Sequence, residues 1–274
     1  MVDSPGMKPH LLACLSLASL LARAETTITV EAGDFDRHDT PVEFDLPANV
    51  ALTGNVVLDD AGRPSSLQID KGHGVFVVHD LKRGASQTFK VGYVGVMTPL
   101  VRAEQVKGEL TLRVGNNTAF TYHTAKTDFP PARPDLKPIF HRAGYIHPIL
   151  SPSGLQVTDD YPANHKHHHG LWFSWSHAMF EGRTNDYWNM GDGNGTMEFL
   201  GLDRTWNGSV EAGFVSKHQH VDLTAGQPKP ALNETWNVRL FSVGHDAAKP
   251  YFLFDVDVTD SCATSEPVKL PLYR

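Results

Sequence analysis

The sequence predicts an all-β fold, an antiparallel β-sandwich, single or in two parts, with long loops. Three observations predict it. Short alternating or β-branched apolar runs recur, at 26–31 (TTITVE), 54–58 (GNVVL), 75–78 (VFVV), 109–114 (ELTLRV), 237–243 (NVRLFSV) and 251–258 (YFLFDVDV). Turn residues separate them, as at 59–64 (DDAGRP) and 115–117 (GNN). No stretch carries a convincing 3.6-residue apolar stripe, and many short strands between turn signals are the mark of a sandwich or barrel. In the last of these runs Asp255 and Asp257 alternate with Phe254, Val256 and Val258, which leaves one face of that strand wet.

Composition narrows the class. The chain has 274 residues, 41% hydrophobic and 20% charged, enough to bury a sizeable core and too polar for several membrane spans. Its 31 acids against 24 Lys and Arg give a net charge of −7, without a basic run, which argues against nucleic acid as a partner. Histidine stands out, with 15 in all and seven from His141 to His177.

The first element, 1–24, reads as a secretory signal. Lys8 leads into an apolar run from Leu11 to Leu21, closed by Ala22-Arg23-Ala24, with cleavage expected after Ala24. The run is too short for a stable span, so the mature chain is expected in the periplasm or outside the cell, with no membrane span. Only three apolar residues precede Cys14, which excludes an acylation site. Loss of Cys14 with the signal leaves Cys262 alone, so a metal site would draw on His and carboxylates.

Residues 25–129 read as an N-terminal sandwich-like region. The Pro-rich segment 130–138 (PPARPDLKP) reads as a rigid extended connector, and equally as a long loop within one sandwich. Residues 139–274 form a His- and Trp-rich β region carrying the candidate site.

Within it, His165, Lys166, His167, His168 and His169 run into Gly170-Leu171-Trp172. In an extended segment His165, His167 and His169 would point one way. Two imidazoles on one face can bind a divalent metal, or one can act as acid or base beside its neighbour. Asp160 would orient the catalytic imidazole, His165 or His167. A metal set would be His147, His165, His167 and His168, against an exposed His loop with adventitious metal affinity as the plain alternative. Trp172, Trp175 and Trp188 fall within seventeen residues, and rings beside polar groups commonly line sugar sites. Tyr145, Trp172, Arg183, Asp186 and Trp188 are therefore the candidate substrate-binding residues, although any single Trp also suits the sandwich core. The loop 191–195 (GDGNG) lacks the Lys-Ser/Thr end of a phosphate-binding loop, and no serine or cysteine nucleophile motif occurs.

The words RAGYIHPILSPSGLQVTDDYP (142–162), His-x-His-His followed by Gly-Leu-Trp-Phe, FEGR (180–183) and DYWNMGDG (186–193) resemble the PmoA-like family of exported bacterial proteins, as does ITVEAGDFDRHDTPV (28–42). The resemblance implies an exported β-sandwich with carbohydrate chemistry, with shared polar positions at His147, Asp160, His165, His167 and His168, and relatives varying at His169. Methane oxidation is not implied, because the chain lacks the spans of the membrane subunit behind the family's name. Relatives continue beyond the point matching 270–274 (LPLYR), which suggests a truncated member here.

Three functions follow as expectations. The first is an exported carbohydrate-active protein, a lyase or hydrolase using the His/Asp site. The others are a His-ligated metal oxidoreductase and a non-catalytic sugar-binding sandwich.

Overall fold

The computed structural model describes residues 26–46 and 54–271. The segment 1–24, expected from sequence to be a secretory signal, and the residues 272–274 lie outside them. Every sheet is antiparallel, and among the described residues the single helical element is one 3₁₀ turn, Pro138–Phe140. None of these residues forms a helix long and apolar enough to cross a membrane.

Six strands form the first sheet: β1 (Thr27–Glu31), β2 (Arg37–Asp45), β3 (Val56–Leu58), β4 (Pro64–Asp70), β5 (His73–Leu81) and β6 (Ser86–Gly92), in the order β1-β6-β3-β4-β5-β2. Positions 75 to 79 show why alternation weakens here. Phe76 and Val78 of β5 pack inward with Val57, Leu67 and Phe89, whereas Val75 and Val77 face Val210, Phe241 and Val243 of the next unit. A strand buried on both faces reads as a continuous apolar run. Gln68 Oε1 ties the units further by accepting from the backbone N–H of Val210 (3.1 Å) and Glu211 (3.0 Å).

The sandwich proper follows. Its first sheet holds β7 (Val101–Val106), β8 (Glu109–Val114), β9 (Asn117–His123) and β10 (Tyr145–Ile149), in the order β10-β9-β8-β7. Two short strands, β11 (Ala178–Phe180) and β12 (Arg183–Asn185), join a small sheet completed by the last strand of the chain. The second large sheet is β13 (Gly195–Trp206), β14 (Glu211–Asp222), β15 (Lys229–Phe241) and β16 (Phe254–Cys262), in sequential order, and β17 (Val268–Lys269) closes the small sheet against β11. Leu110, Leu112, Phe120, Tyr122 and Ile146 of one large sheet pack on Phe214, Trp236, Val238 and Leu240 of the other. Burying each such side chain contributes about 1.5–3 kcal/mol.

This pairing moves the expected boundary. β9 and β10 are hydrogen-bonded neighbours on either side of 130–138, so the Pro-rich segment is a loop inside one sandwich. It stays ordered by packing, with Leu136 and Phe140 against Tyr161 and Met190. Strands β7 to β9, assigned from sequence to the N-terminal region, belong to the sandwich that carries the site. Proline marked a break in hydrogen bonding, and a loop needs that as much as a linker does.

Candidate functional site

Residues 161–170 are a chain of turns: His165 N–H bonds to Pro162 O (3.1 Å), His168 N–H to His165 O (2.9 Å) and Tyr161 N–H to His168 O (2.9 Å). The expected two-residue alternation is therefore absent. His165 stacks on His168 (ring centroids 4.6 Å, 23°) and His167 meets His168 edge-on at 4.5 Å, so these three cluster on the half-exposed side. His169 turns the other way, buried between Tyr145 (4.5 Å) and Tyr161 (4.7 Å).

Asp160 consequently orients a different imidazole from the one expected. Its Oδ1 lies 2.7 Å from His169 Nδ1, and its Oδ2 accepts from Tyr145 O–H at 3.0 Å. Neither His165 nor His167 bonds to it among the described residues. A carboxylate on Nδ1 fixes the tautomer and leaves the lone pair on Nε2. That nitrogen is buried without a partner, as is Nη1 of Arg142, whose guanidinium lies 4.8 Å from the Trp172 ring centroid. Arg142 is 2% exposed and forms no ion pair among the described residues.

The remaining candidates divide. Trp172 and Trp188 pack with ring centroids 4.4 Å apart and planes tilted by 33°, both half-buried, with His168 edge-on to Trp188 at 5.8 Å. An open cleft lined by Phe173, Ser174, Trp175, Ser176 and Trp188 adjoins them. Tyr145 is no surface platform: it is fully buried, and its hydroxyl is held by Asp160 and Thr127. Arg183 is tied to Asp222 (2.7 Å) and Glu181 (2.9 Å), which fixes the β11–β12 hairpin. Asp186 Oδ1 accepts from the backbone N–H of Trp188 (3.1 Å) and Asn189 (2.8 Å), an Asx turn that sets the Trp188 ring. Both residues shape the site and leave little capacity to grip a ligand.

The quartet proposed for a metal is not gathered. His147 Nδ1 is engaged by Thr158 Oγ1 at 3.0 Å, and ligand atoms of His147, His165, His167 and His168 do not converge as a set. Among the described residues, the group of three or more His, Cys, Asp or Glu side chains whose ligand atoms lie within 4.8 Å of one another is His220, Glu234 and Asp260. Sequence reasoning missed it. The available signal was His218-x-His220 inside an apolar alternation, which puts both rings on the inner face of β14. In register, His218 sits opposite Glu234, and Glu234 opposite Asp260, so three adjacent strands continue the sandwich's inner face with polar groups.

Proton equilibria of these groups follow burial. Burial, reinforced by the neighbouring imidazoles of His168 and His165, holds His167 at about 4. Burial also brings His169 to about 4, against the opposing bond to Asp160. Both rings are thus neutral at pH 7. Between pH 6.5 and about 4 the unfolded chain binds more protons than the folded one, so stability is full above pH 6.5 and is lost as pH falls through that window. His220, also held at about 4 by burial, adds to the loss, and Asp260, raised by burial to about 6, offsets one proton of it. Thermal unfolding at pH 5.0 is therefore expected well below that at pH 7.5. Equal Tm at both values would contradict the neutral imidazoles.

Residues 109–274, more than half of the chain, match the family of unknown function DUF6807. The chain belongs to this family. Its match begins at β8 and spans the His tract, the Trp pair and the inner-face cluster, while the six-stranded sheet precedes it. No curated protein and no solved structure matches the chain.

Proposed function

We propose that this DUF6807 member is an exported carbohydrate-active protein that holds a sugar on the Trp172–Trp188 face and acts on it with His167. One observation carries the reading: Trp172 and Trp188 pack against each other half-buried, Trp188 lines an open cleft, and the rings of His167 and His168 lie 6.3 and 6.0 Å from that of Trp172. Indole faces stack on sugar C–H groups, and a neutral imidazole beside them is competent as a general base. His167 fits that role because its ring is half-buried, near Trp172 (6.3 Å) and unprotonated at neutral pH. Lyase and hydrolase chemistry both use such a base. The secretory signal and the resemblance to PmoA-like exported proteins support the same context.

A glycan panel on the mature chain tests this by binding and by turnover. Trp188→Ala is expected to weaken binding about tenfold, the value of one ring-stacking contact with its buried area. His167→Ala is expected to abolish turnover with binding retained. A wild-type chain that binds no glycan, or Trp188→Ala that binds as tightly, would remove the proposal. Binding that survives His167→Ala, with no wild-type turnover on any glycan, would reduce the protein to a sugar-binding module.

A further inference from the structure

We propose that His220, Glu234 and Asp260 bind a divalent first-row transition metal ion of the zinc or manganese type. The site uses none of the histidines in the exposed tract, and it adjoins the cleft beside the Trp172–Trp188 pair through Trp175, whose Nε1 holds Asp260.

The first argument is polar accounting. Buried nitrogen and oxygen atoms nearly always have partners. Here both ring nitrogens of His220, Oε2 of Glu234 and Oδ1 of Asp260 are buried without a hydrogen-bond partner, and the ligand atoms of the three residues lie within 4.8 Å of one another. His220 and Glu234 are 0% and 1% exposed, so bulk water does not reach them. His220 Nε2 stands 3.8 Å from Glu234 Oε2, too far for a hydrogen bond. That spacing is close to the roughly 3.3 Å edge between two ligands of a tetrahedral ion with bonds near 2 Å.

The second argument is how the carboxylates are held. Each commits one oxygen to fixed donors and leaves the other aimed at the cluster. Glu234 Oε1 accepts from Trp236 Nε1 (2.6 Å) and His218 Nδ1 (2.8 Å). Asp260 Oδ2 accepts from Trp175 Nε1 (2.7 Å). His218 is itself fixed by Tyr122 O–H at 2.7 Å from Nε2. Outer donors of this kind orient metal-ligating carboxylates. Among the described residues no Lys or Arg forms an ion pair with Glu234 or Asp260; the buried Arg142 guanidinium acts on Glu234 from beyond ion-pair distance. One imidazole and two carboxylate oxygens suit zinc or manganese. The absence of thiolates disfavours Cu(I), and the imidazole disfavours the all-oxygen cages of calcium. Three protein ligands, where a closed structural zinc site has four, leave a further coordination position.

The test uses the mature chain made without a polyhistidine tag, stripped with chelator and then given zinc or cobalt(II) salt alone. After desalting, metal analysis is expected to give about one ion per chain, with a cobalt d–d absorption band of a site with nitrogen and oxygen ligands. His165→Ala/His167→Ala/His168→Ala is expected to retain the ion, since the tract takes no part. Asp260→Asn and His220→Gln are expected to lose it, with circular dichroism confirming their fold. Trp175→Phe, which removes the donor to Asp260 and keeps an aromatic ring against its apolar neighbours, is expected to weaken affinity about tenfold. Should the ligand variants not fold, the cobalt band in wild type and tract variant, and its weakening in Trp175→Phe, still decide. No ion retained by the wild type, or retention that disappears with the exposed tract, would overturn the proposal.

Discussion

Alanine at Gly170 is expected to lower stability by about 3 kcal/mol and Tm by about 6–12 °C. The added Cβ would overlap the carbonyl oxygen of Ile146 and come within 3.1 Å of His147 Cβ. Neither neighbour has room to give. Ile146 and Leu171 exchange both backbone hydrogen bonds at 2.9 Å, and Ile146 is part of the sandwich core. Relief requires that two-bond bridge to part, and each lost backbone bond costs about 1 kcal/mol. The bridge is also what seats His169 and Trp172 on either side of Gly170 and Leu171, so glycan binding is expected to weaken together with stability. Gly182 supplies the comparison. It has φ +76°, but a methyl group added there would meet no atom within 4 Å, so alanine costs backbone strain alone, about 1 kcal/mol. Chemical denaturation of the two variants measures the difference. Equal losses would show that the close approach at Gly170 is relaxed at little cost.

Asp160→Ala is the second large effect, expected to cost about 2–4 kcal/mol, since each buried donor left unsatisfied costs about 1–3 kcal/mol. Removing the carboxylate strands His169 Nδ1 and the Tyr145 hydroxyl, both on buried side chains. Tyr145 keeps Thr127 as a neighbour at 3.1 Å, whereas His169 has no other bonded partner among the described residues. Asp160→Asn retains an acceptor oxygen for one of the two donors and is expected to lose about half as much. The orientation assigned from sequence, Asp160 toward His165 or His167, implies instead a small effect on stability and a large one on turnover. Equilibrium unfolding of both variants separates these outcomes, since near-wild-type stability in Asp160→Ala would dismiss the buried dyad.

Particular residues show how far the sequence reaches. β8 was legible because Leu110, Leu112 and Val114 alternate inward with a strict period of two. β5 was legible as a strand, though its burial on two faces was not, because a partner for Val75 and Val77 arises only when Val210 and Phe241 arrive from far along the chain. In the candidate site, the partnerships differ from those expected. Asp160 and an imidazole do pair, but turns at Pro162 and His165 rotate the run so that His169 is the one presented. Trp172 and Trp188 meet because an Asx turn at Asp186 sets the second ring, a geometry that spacing alone does not give. Arg183 looked like a ligand grip because a lone arginine in sequence shows no partner, and Asp222 supplies one 39 positions away.

Local chemistry determined the strands, the turns and the concentration of histidine and tryptophan between Tyr145 and Trp188, since alternation and turn residues act over a few positions. Tertiary structure decided which sheet each strand joined, that 130–138 is a loop within the sandwich, and which imidazole faces a carboxylate. It also assembled His220, Glu234 and Asp260 from three strands. Their register depends on which rows of side chains bury against the opposite sheet, and that choice is made by the packed core as a whole.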